Sequence, residues 1–205
     1  MRIHERLSHF AALSLLAFAC AVPAAAEPHP STAAGVTTPR VRIENFGQVS
    51  ANYYRGAQPK AGDYADLATL GVKTVINLTS DDGQASEREQ VERAGMKYVH
   101  IPMTTHRPPT SAQLSQFFAV VNESTDGAVF VHCVGGKHRT GVMTAAYRMT
   151  NDGWSPEQAF REMKQYKFGA DFLHPEFKKY VFAFRADPKP ATPTNTVVAS
   201  TTVVH

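Results

Sequence analysis

The chain has 205 residues, 43% of them hydrophobic and 19% charged, a composition that gives one apolar core and excludes a disordered or fibrous protein. The net charge is only +3, with no consecutive basic run, so no nucleic-acid partner is expected. Two cysteines, Cys20 and Cys133, are too few for a disulfide-stapled scaffold or a Cys-rich zinc site.

At the start of the chain, Arg2 and Arg6 precede the apolar run 10–22 and then Pro23-Ala24-Ala25-Ala26. Basic, apolar and small-residue segments in that order predict a signal peptide over 1–26 and an exported, periplasmic or secreted mature protein. The apolar run is shorter than the roughly 20 residues a membrane-spanning helix needs, so no stable membrane insertion is expected. The alternative is a lipoprotein anchored through Cys20, which follows Leu16-Ala17-Phe18-Ala19, although Ala17 stands where such signals usually carry Leu. The Pro-, Ala- and Thr-rich stretch 27–40 reads as a flexible linker, 41–186 as one domain, and 187–205 as a disordered tail.

Within that domain, helix 61–70 is expected to end at Gly71, strand 72–78 follows, and helix 87–94 is expected to end at Gly95. Strand 98–101 comes next, then a helix over 111–122 behind the cap Thr110, and strand 128–132, marked by its β-branched residues. The remainder is helical: 140–150, a helix opened by Ser155-Pro156-Glu157 and running through Phe160 and Met163, and 174–184. This alternation predicts an α/β fold, a central mostly parallel twisted sheet flanked by helices, with a helical C-terminal half.

One segment carries chemistry: His132-Cys133-Val134-Gly135-Gly136-Lys137-His138-Arg139-Thr140-Gly141. It lies between a strand and a helix, at the carboxyl end of a parallel strand, where open α/β sheets hold their ligands. A Walker A loop is excluded, because His138 follows Lys137 where Ser or Thr is required. A zinc site built from His132, Cys133 and His138 is disfavoured, because adjacent strand residues point to opposite faces. What remains is a short loop from Cys133 to Arg139 around a small anion. Gly135 and Gly136 are free to take positive φ, letting the backbone of Val134 through His138 converge on substrate oxygens at the positive end of the next helix. That field favours a thiolate, which makes Cys133 the candidate nucleophile, while a small buried hydrophobe is the plain alternative. Arg139 offers a planar fork for two phosphate oxygens, Thr140 is placed to hydrogen-bond the sulfur, and His132 reads as a brace for the loop.

The pattern HCxxGxxRT resembles the signature of the cysteine-dependent protein-tyrosine-phosphatase superfamily. Together with Tyr53-Tyr54-Arg55-Gly56-Ala57-Gln58-Pro59 and Val72-Lys73-Thr74-Val75-Ile76-Asn77-Leu78, it resembles the compact dual-specificity phosphatases, most of all their atypical plant, fungal and bacterial branch, over roughly 45–184. The resemblance implies phosphoryl transfer to Cys133, a phosphocysteine intermediate hydrolysed by water, and neither metal nor cofactor. Its implied substrate is a phosphorylated small molecule, including inositol pyrophosphates, or a phosphoprotein. It says nothing of oligomeric state.

The resemblance also implies an aspartate general acid about 30 residues before the cysteine. No Asp occurs between Asp82 and Asp126. In that window lies Pro102-Met103-Thr104-Thr105-His106-Arg107-Pro108-Pro109, where His106 is the obvious proton donor, an exposed loop histidine being the plain alternative. Arg107 is placed to clamp a further phosphate. With Lys137, His138, Lys164 and Lys167, these residues would give the mouth a local positive field suited to a polyphosphorylated molecule. The missing Asp also admits a phosphate-binding module without turnover. A rhodanese-like sulfur carrier or an arsenate reductase is the third reading, although reductases usually need a resolving thiol and the chain after 26 holds Cys133 alone.

Overall fold

All five residues of Ala-Val-Phe-Val-His at 128–132 are buried, and a strand buried on both faces belongs in the middle of a parallel sheet. The computed structural model, which describes residues 41–80 and 82–186, places it there. In chain order the elements are β1 (Gly47–Ser50), β2 (Tyr53–Gly56), α1 (Asp63–Thr69), β3 (Val72–Asn77), α2 (Glu87–Arg93) and β4 (Lys97–His100). They continue with α3 (Ser111–Glu123), β5 (Ala128–His132), α4 (Arg139–Asn151), α5 (Pro156–Gln165) and α6 (Pro175–Ala183). The sheet has the order β1-β2-β5-β3-β4, with β2, β3 and β4 joined in parallel through β5 and β3, and β1 antiparallel at one edge. This is the expected mostly parallel sheet flanked by helices. The predicted signal peptide 1–26, linker 27–40 and tail 187–205 lie outside the described residues.

Each strand and helix expected between 61 and 184 is present, with ends moved by two residues at most. The starts are clearest where the chain supplies a cap. Thr110 accepts from the Gln113 amide while Gln113 returns the bond to the Thr110 N–H, and Ser155 and Gln158 do the same ahead of α5, with Pro156 in its first turn. The hairpin β1–β2 was not expected. Its strands have four residues each, a register shift interrupts the pairing between Gln48 and Ser50, and the alternation of β2 is disguised because its inward positions are Tyr53 and Arg55, both fully buried.

The sheet separates two apolar clusters. On one side Tyr53, Ile76, Val129 and Val131 meet Phe117, Val142, Met143, Met163, Phe168 and Phe177. On the other Val72, Val75 and Phe130 meet Tyr64, Leu67, Val91 and Met96. Because β5 pairs with β2 at Gly56 and with β3 at Asn77, both opposite His132, the loops after β2, β3 and β5 open together around the residue that follows, Cys133.

Candidate active site

The loop after β5 is shaped by glycine at one position. Gly136 has φ +63°, and a Cβ there would lie 2.5 Å from the Gly56 carbonyl, so neither the conformation nor the space admits a side chain. Gly135, expected to share this role, does not take positive φ, and a Cβ on it would meet only Lys137 at 3.5 Å. The loop is pinned from outside: Asn45 Nδ2 donates to the Gly135 carbonyl at 2.7 Å, Arg55 donates to the Gly136 carbonyl at 2.8 Å, and the Gln58 N–H donates to the Val134 carbonyl at 3.0 Å. With these carbonyls turned outward into bonds, the loop leads through His138 into α4, whose N-terminal turn carries the positive end of the helix dipole.

Cys133 and Arg139 are each 3% exposed, and the two groups lie near enough that the thiol's charge favours that of the guanidinium. The two Arg139 terminal nitrogens donate to both oxygens of Asp82, at 2.8 and 2.6 Å, and one of them also donates to the Met103 carbonyl at 3.1 Å. This is the two-pronged geometry in which arginine grips a carboxylate or a phosphate. Burial works against the Arg139 charge, but Asp82 and Cys133 more than offset it. Hydrogen bonds from Arg139 in turn hold the Asp82 carboxyl below the usual range. Asp82 stands 51 positions ahead of Cys133 in the sequence, well before the position where the resemblance implies an acid, and nothing in its local pattern marks it.

Thr140 does not take the expected place at the sulfur. Its hydroxyl is buried and makes no hydrogen bond among the described residues, while its carbonyl accepts from Thr144 at 2.8 Å. As the second residue of α4 it packs inside the helical layer, where the whole first turn is buried.

A polar network supports the loop from behind. His132 Nε2 lies 2.7 Å from Glu87 Oε1, both side chains fully buried. Tyr64 donates to Glu87 Oε1 at 3.1 Å and Asn77 to Oε2 at 2.6 Å, while the Asn77 side-chain oxygen Oδ1 accepts from the Thr79 N–H and hydroxyl. Burial pushes the Glu87 carboxyl up, but bonds from His132, Gln58 and Tyr64 outweigh it and hold the group below its ordinary value. Glu87 reads in the sequence as a helix-opening acid, and only the fold turns it inward. A carboxylate with a depressed folded pKa stabilises the protein above its unfolded pKa and loses that contribution as pH falls through the folded value. Glu87→Gln is therefore expected to lower stability at pH 7 by about 3 kcal/mol, the scale for breaking a buried pair. Urea denaturation at neutral and acid pH checks this: the wild type should lose stability on acidification, and the variant should lose less.

Arg55 is also fully buried, its guanidinium 3.9 Å above the Tyr166 ring. It rests under the loop as a second brace beside His132, and nothing in its local sequence marks it for that place.

His106 stands at the rim. Its ring stacks on His174 at 5.7 Å, and His174 lies 3.8 Å from the ring of His138, which bonds through Nε2 to the Phe168 carbonyl at 3.0 Å. Burial, and the neighbouring His174, Lys137 and Arg139, keep His138 below the ordinary histidine pKa, the Phe168 carbonyl opposing them. Arg107 is exposed beside His106, and Lys137 is partly buried in the loop. Lys164 does not add to the field as expected. Together with Lys178 it is paired to Asp171.

A cysteine and an arginine six positions apart, joined by a glycine-shaped loop between the central strand and a buried helix, define the cysteine-dependent phosphatase fold. The family model described as a DSP-PTPase phosphatase fused to NAD+ kinase matches residues 40–178, and the chain belongs to this family. Dual specificity protein phosphatase TpbA of Pseudomonas aeruginosa UCBPP-PA14 is 33% identical over 125 residues, which cover 61% of this chain and 56% of that protein. Inositol diphosphatase SIW14 of Saccharomyces cerevisiae is 25% identical over 130 residues, covering 61% of this chain and 46% of that protein. The chain thus spans about half the length of these curated relatives. The crystal structure of P. aeruginosa TpbA in complex with phosphotyrosine superposes with a TM-score of 0.59 at 30% identity, over 70% of this chain and 85% of that one.

Proposed function

We propose that the protein is an exported, metal-independent cysteine phosphatase that cleaves phosphate esters or anhydrides by way of a phosphocysteine at Cys133. One observation carries this reading. Both oxygens of a carboxylate already sit on the Arg139 fork, which closes the loop that Cys133 opens and feels the thiol's charge, so the site is dimensioned for two oxygens of an anion near a nucleophile. Cys133 attacks phosphorus, the P–O bond to the leaving group breaks, and water then displaces the thiolate to release inorganic phosphate. Arg139 balances the charge on the transferring group. The loop backbone at Val134, Gly135, Gly136, Lys137 and His138 holds the remaining oxygens.

His106 is the candidate proton donor to the leaving oxygen. An alkoxide needs that proton, a phenolate less, and a phosphate released from an anhydride hardly at all. Without an Asp in the loop that carries His106, pyrophosphorylated and polyphosphorylated molecules are the favoured substrate class, with Arg107 and Lys137 to meet their extra charge. The similarity to an inositol diphosphatase and to TpbA, solved with phosphotyrosine, supports both this class and phosphotyrosine. The order of basic, apolar and small residues over 1–26 supports export.

The test is phosphate release, with EDTA present, from a phosphotyrosine peptide, a phosphothreonine peptide, inositol hexakisphosphate and a pyrophosphorylated inositol. The expected result is turnover in EDTA, with kcat/KM at least tenfold higher for the pyrophosphorylated inositol than for the phosphothreonine peptide. Binding of these compounds without phosphate release overturns the enzymatic reading, and a strong preference for the phosphotyrosine peptide overturns the polyanion reading. The mass of the exported protein is expected to begin at Glu27, and an acylated Cys20 would overturn that assignment in favour of the lipoprotein.

A further inference from the structure

The rim of the site holds a group of three donors, of which phosphoryl transfer uses only His106. His106 comes from the loop between β4 and α3, His174 caps α6, and Glu176 lies in the first turn of α6. One donor atom from each lies within 4.8 Å of the other two. His174 Nδ1 and Glu176 Oε1 are 3.4 Å apart, close to the roughly 3.3 Å edge of a tetrahedron with metal–ligand bonds of about 2.0–2.1 Å. His106 is exposed, so a rotation of its side chain brings in the third ligand without disturbing the core.

His174 is the least free of the three. Its ring is packed against His138 at 3.8 Å, with Phe168 and Phe177 on its flanks, and its Nδ1 faces Glu176. A ligand held in one orientation by its surroundings is what a metal centre requires of its supporting shell. Two imidazoles and one carboxylate suit zinc or cobalt, whereas magnesium and calcium prefer an all-oxygen shell. Three protein ligands also leave a fourth position open.

We propose that His106, His174 and Glu176 form a binding site for a zinc-class divalent cation at the rim of the Cys133 loop, and that its occupancy restrains turnover. The metal site stands on the geometry alone. Its effect on turnover rests on the catalytic reading above, because a His106 nitrogen bound to the cation can no longer hand a proton to a leaving alkoxide. The cation also bridges the His106 loop to α6, and the same loop supplies the Met103 carbonyl to Arg139, so binding fixes a segment that touches the phosphate clamp.

The two parts are tested separately. The untagged full chain carrying Cys20→Ser and Cys133→Ser, which removes both thiols as competing ligands, is titrated with Co2+ and Zn2+ and followed by absorbance and calorimetry. The expected result is one ion per chain, with a tetrahedral Co2+ spectrum displaced by Zn2+. Glu176→Gln, a near-isosteric change, and His106→Ala, a change on an exposed loop, are each expected to weaken binding at least tenfold. Absence of a one-to-one ion, or binding unchanged in both variants, overturns the site. In the protein with Cys133 intact, Zn2+ is expected to slow hydrolysis of an alkyl phosphate, EDTA to restore it, and Glu176→Gln to raise the half-inhibiting Zn2+ concentration at least tenfold. Binding without inhibition overturns the link to turnover while phosphatase activity itself stands.

Discussion

Cys133→Ser is expected to lower phosphate release by at least roughly four orders of magnitude, the scale on which loss of a catalytic nucleophile acts. A serine hydroxyl is neutral at working pH and far less nucleophilic than a thiolate, so the P–O bond of the substrate finds no attacking group of sufficient strength. Inorganic phosphate should still bind with affinity within a few fold of the wild type. The features that shape the receptor are elsewhere: the Gly136 turn, the Asn45 and Arg55 bonds to the Gly135 and Gly136 carbonyls, and the Arg139 fork. The exchange of sulfur for oxygen is small and Cys133 lies in the core cluster beneath the loop, so the fold should persist, and circular dichroism checks that it does. Turnover within tenfold of the wild type would falsify the covalent route. Loss of phosphate binding along with turnover would show instead that the thiol is part of the receptor.

How much of this was visible in the chain follows from the range of each signal. Capped helices and β-branched strands are local, and Thr110 with Gln113, Ser155 with Pro156 and Gln158, and the run at 128–132 stated them outright. The Cys133 loop was equally local, six residues between a strand and a helix. What escaped notice depends on residues brought together from far apart. Asp82 reaches Arg139 across 57 positions, Arg55 reaches Gly136 across 81, and Asn45 reaches Gly135 across 90. A charged residue such as Arg55 or Glu87 looks like surface until the sheet order places it behind the loop, where His132, Tyr64 and Asn77 hold Glu87 and the Gly136 carbonyl and the Tyr166 ring hold Arg55. The reading of Thr140 failed for the opposite reason: motif adjacency suggested a contact with the sulfur that helix geometry turns away. The hairpin β1–β2 escaped because short strands with inward Tyr and Arg do not alternate by polarity.

The pairing of Arg139 with Asp82 leads to the second large effect. Arg139→Lys keeps the positive charge, but an ammonium is a point donor and cannot meet two oxygens in a plane while also reaching the Met103 carbonyl, as the guanidinium does. A fall of about 10²–10³ in kcat/KM is expected, the cost of losing one preorganised donor to developing charge. Asp82 separates two causes of that fall. Its side chain is 37% exposed and Arg139 is 3% exposed, so an incoming phosphate can displace the carboxylate toward solvent without uncovering the arginine to water. Because Arg139 holds the Asp82 carboxyl below its usual range, the carboxylate stays charged at neutral pH and yields only as pH falls through that depressed value. Asp82→Asn replaces a charged competitor with a neutral amide of the same shape, and inorganic phosphate is then expected to inhibit at several-fold lower concentration. In the Arg139→Lys protein the same Asp82 change should gain less, because the two-pronged grip that Asp82 contests is no longer there. Equal gains in both backgrounds, measured as a double-mutant cycle on phosphate inhibition, would show that Asp82 acts only through general charge at the mouth and that the Arg139 fork is not where phosphate binds.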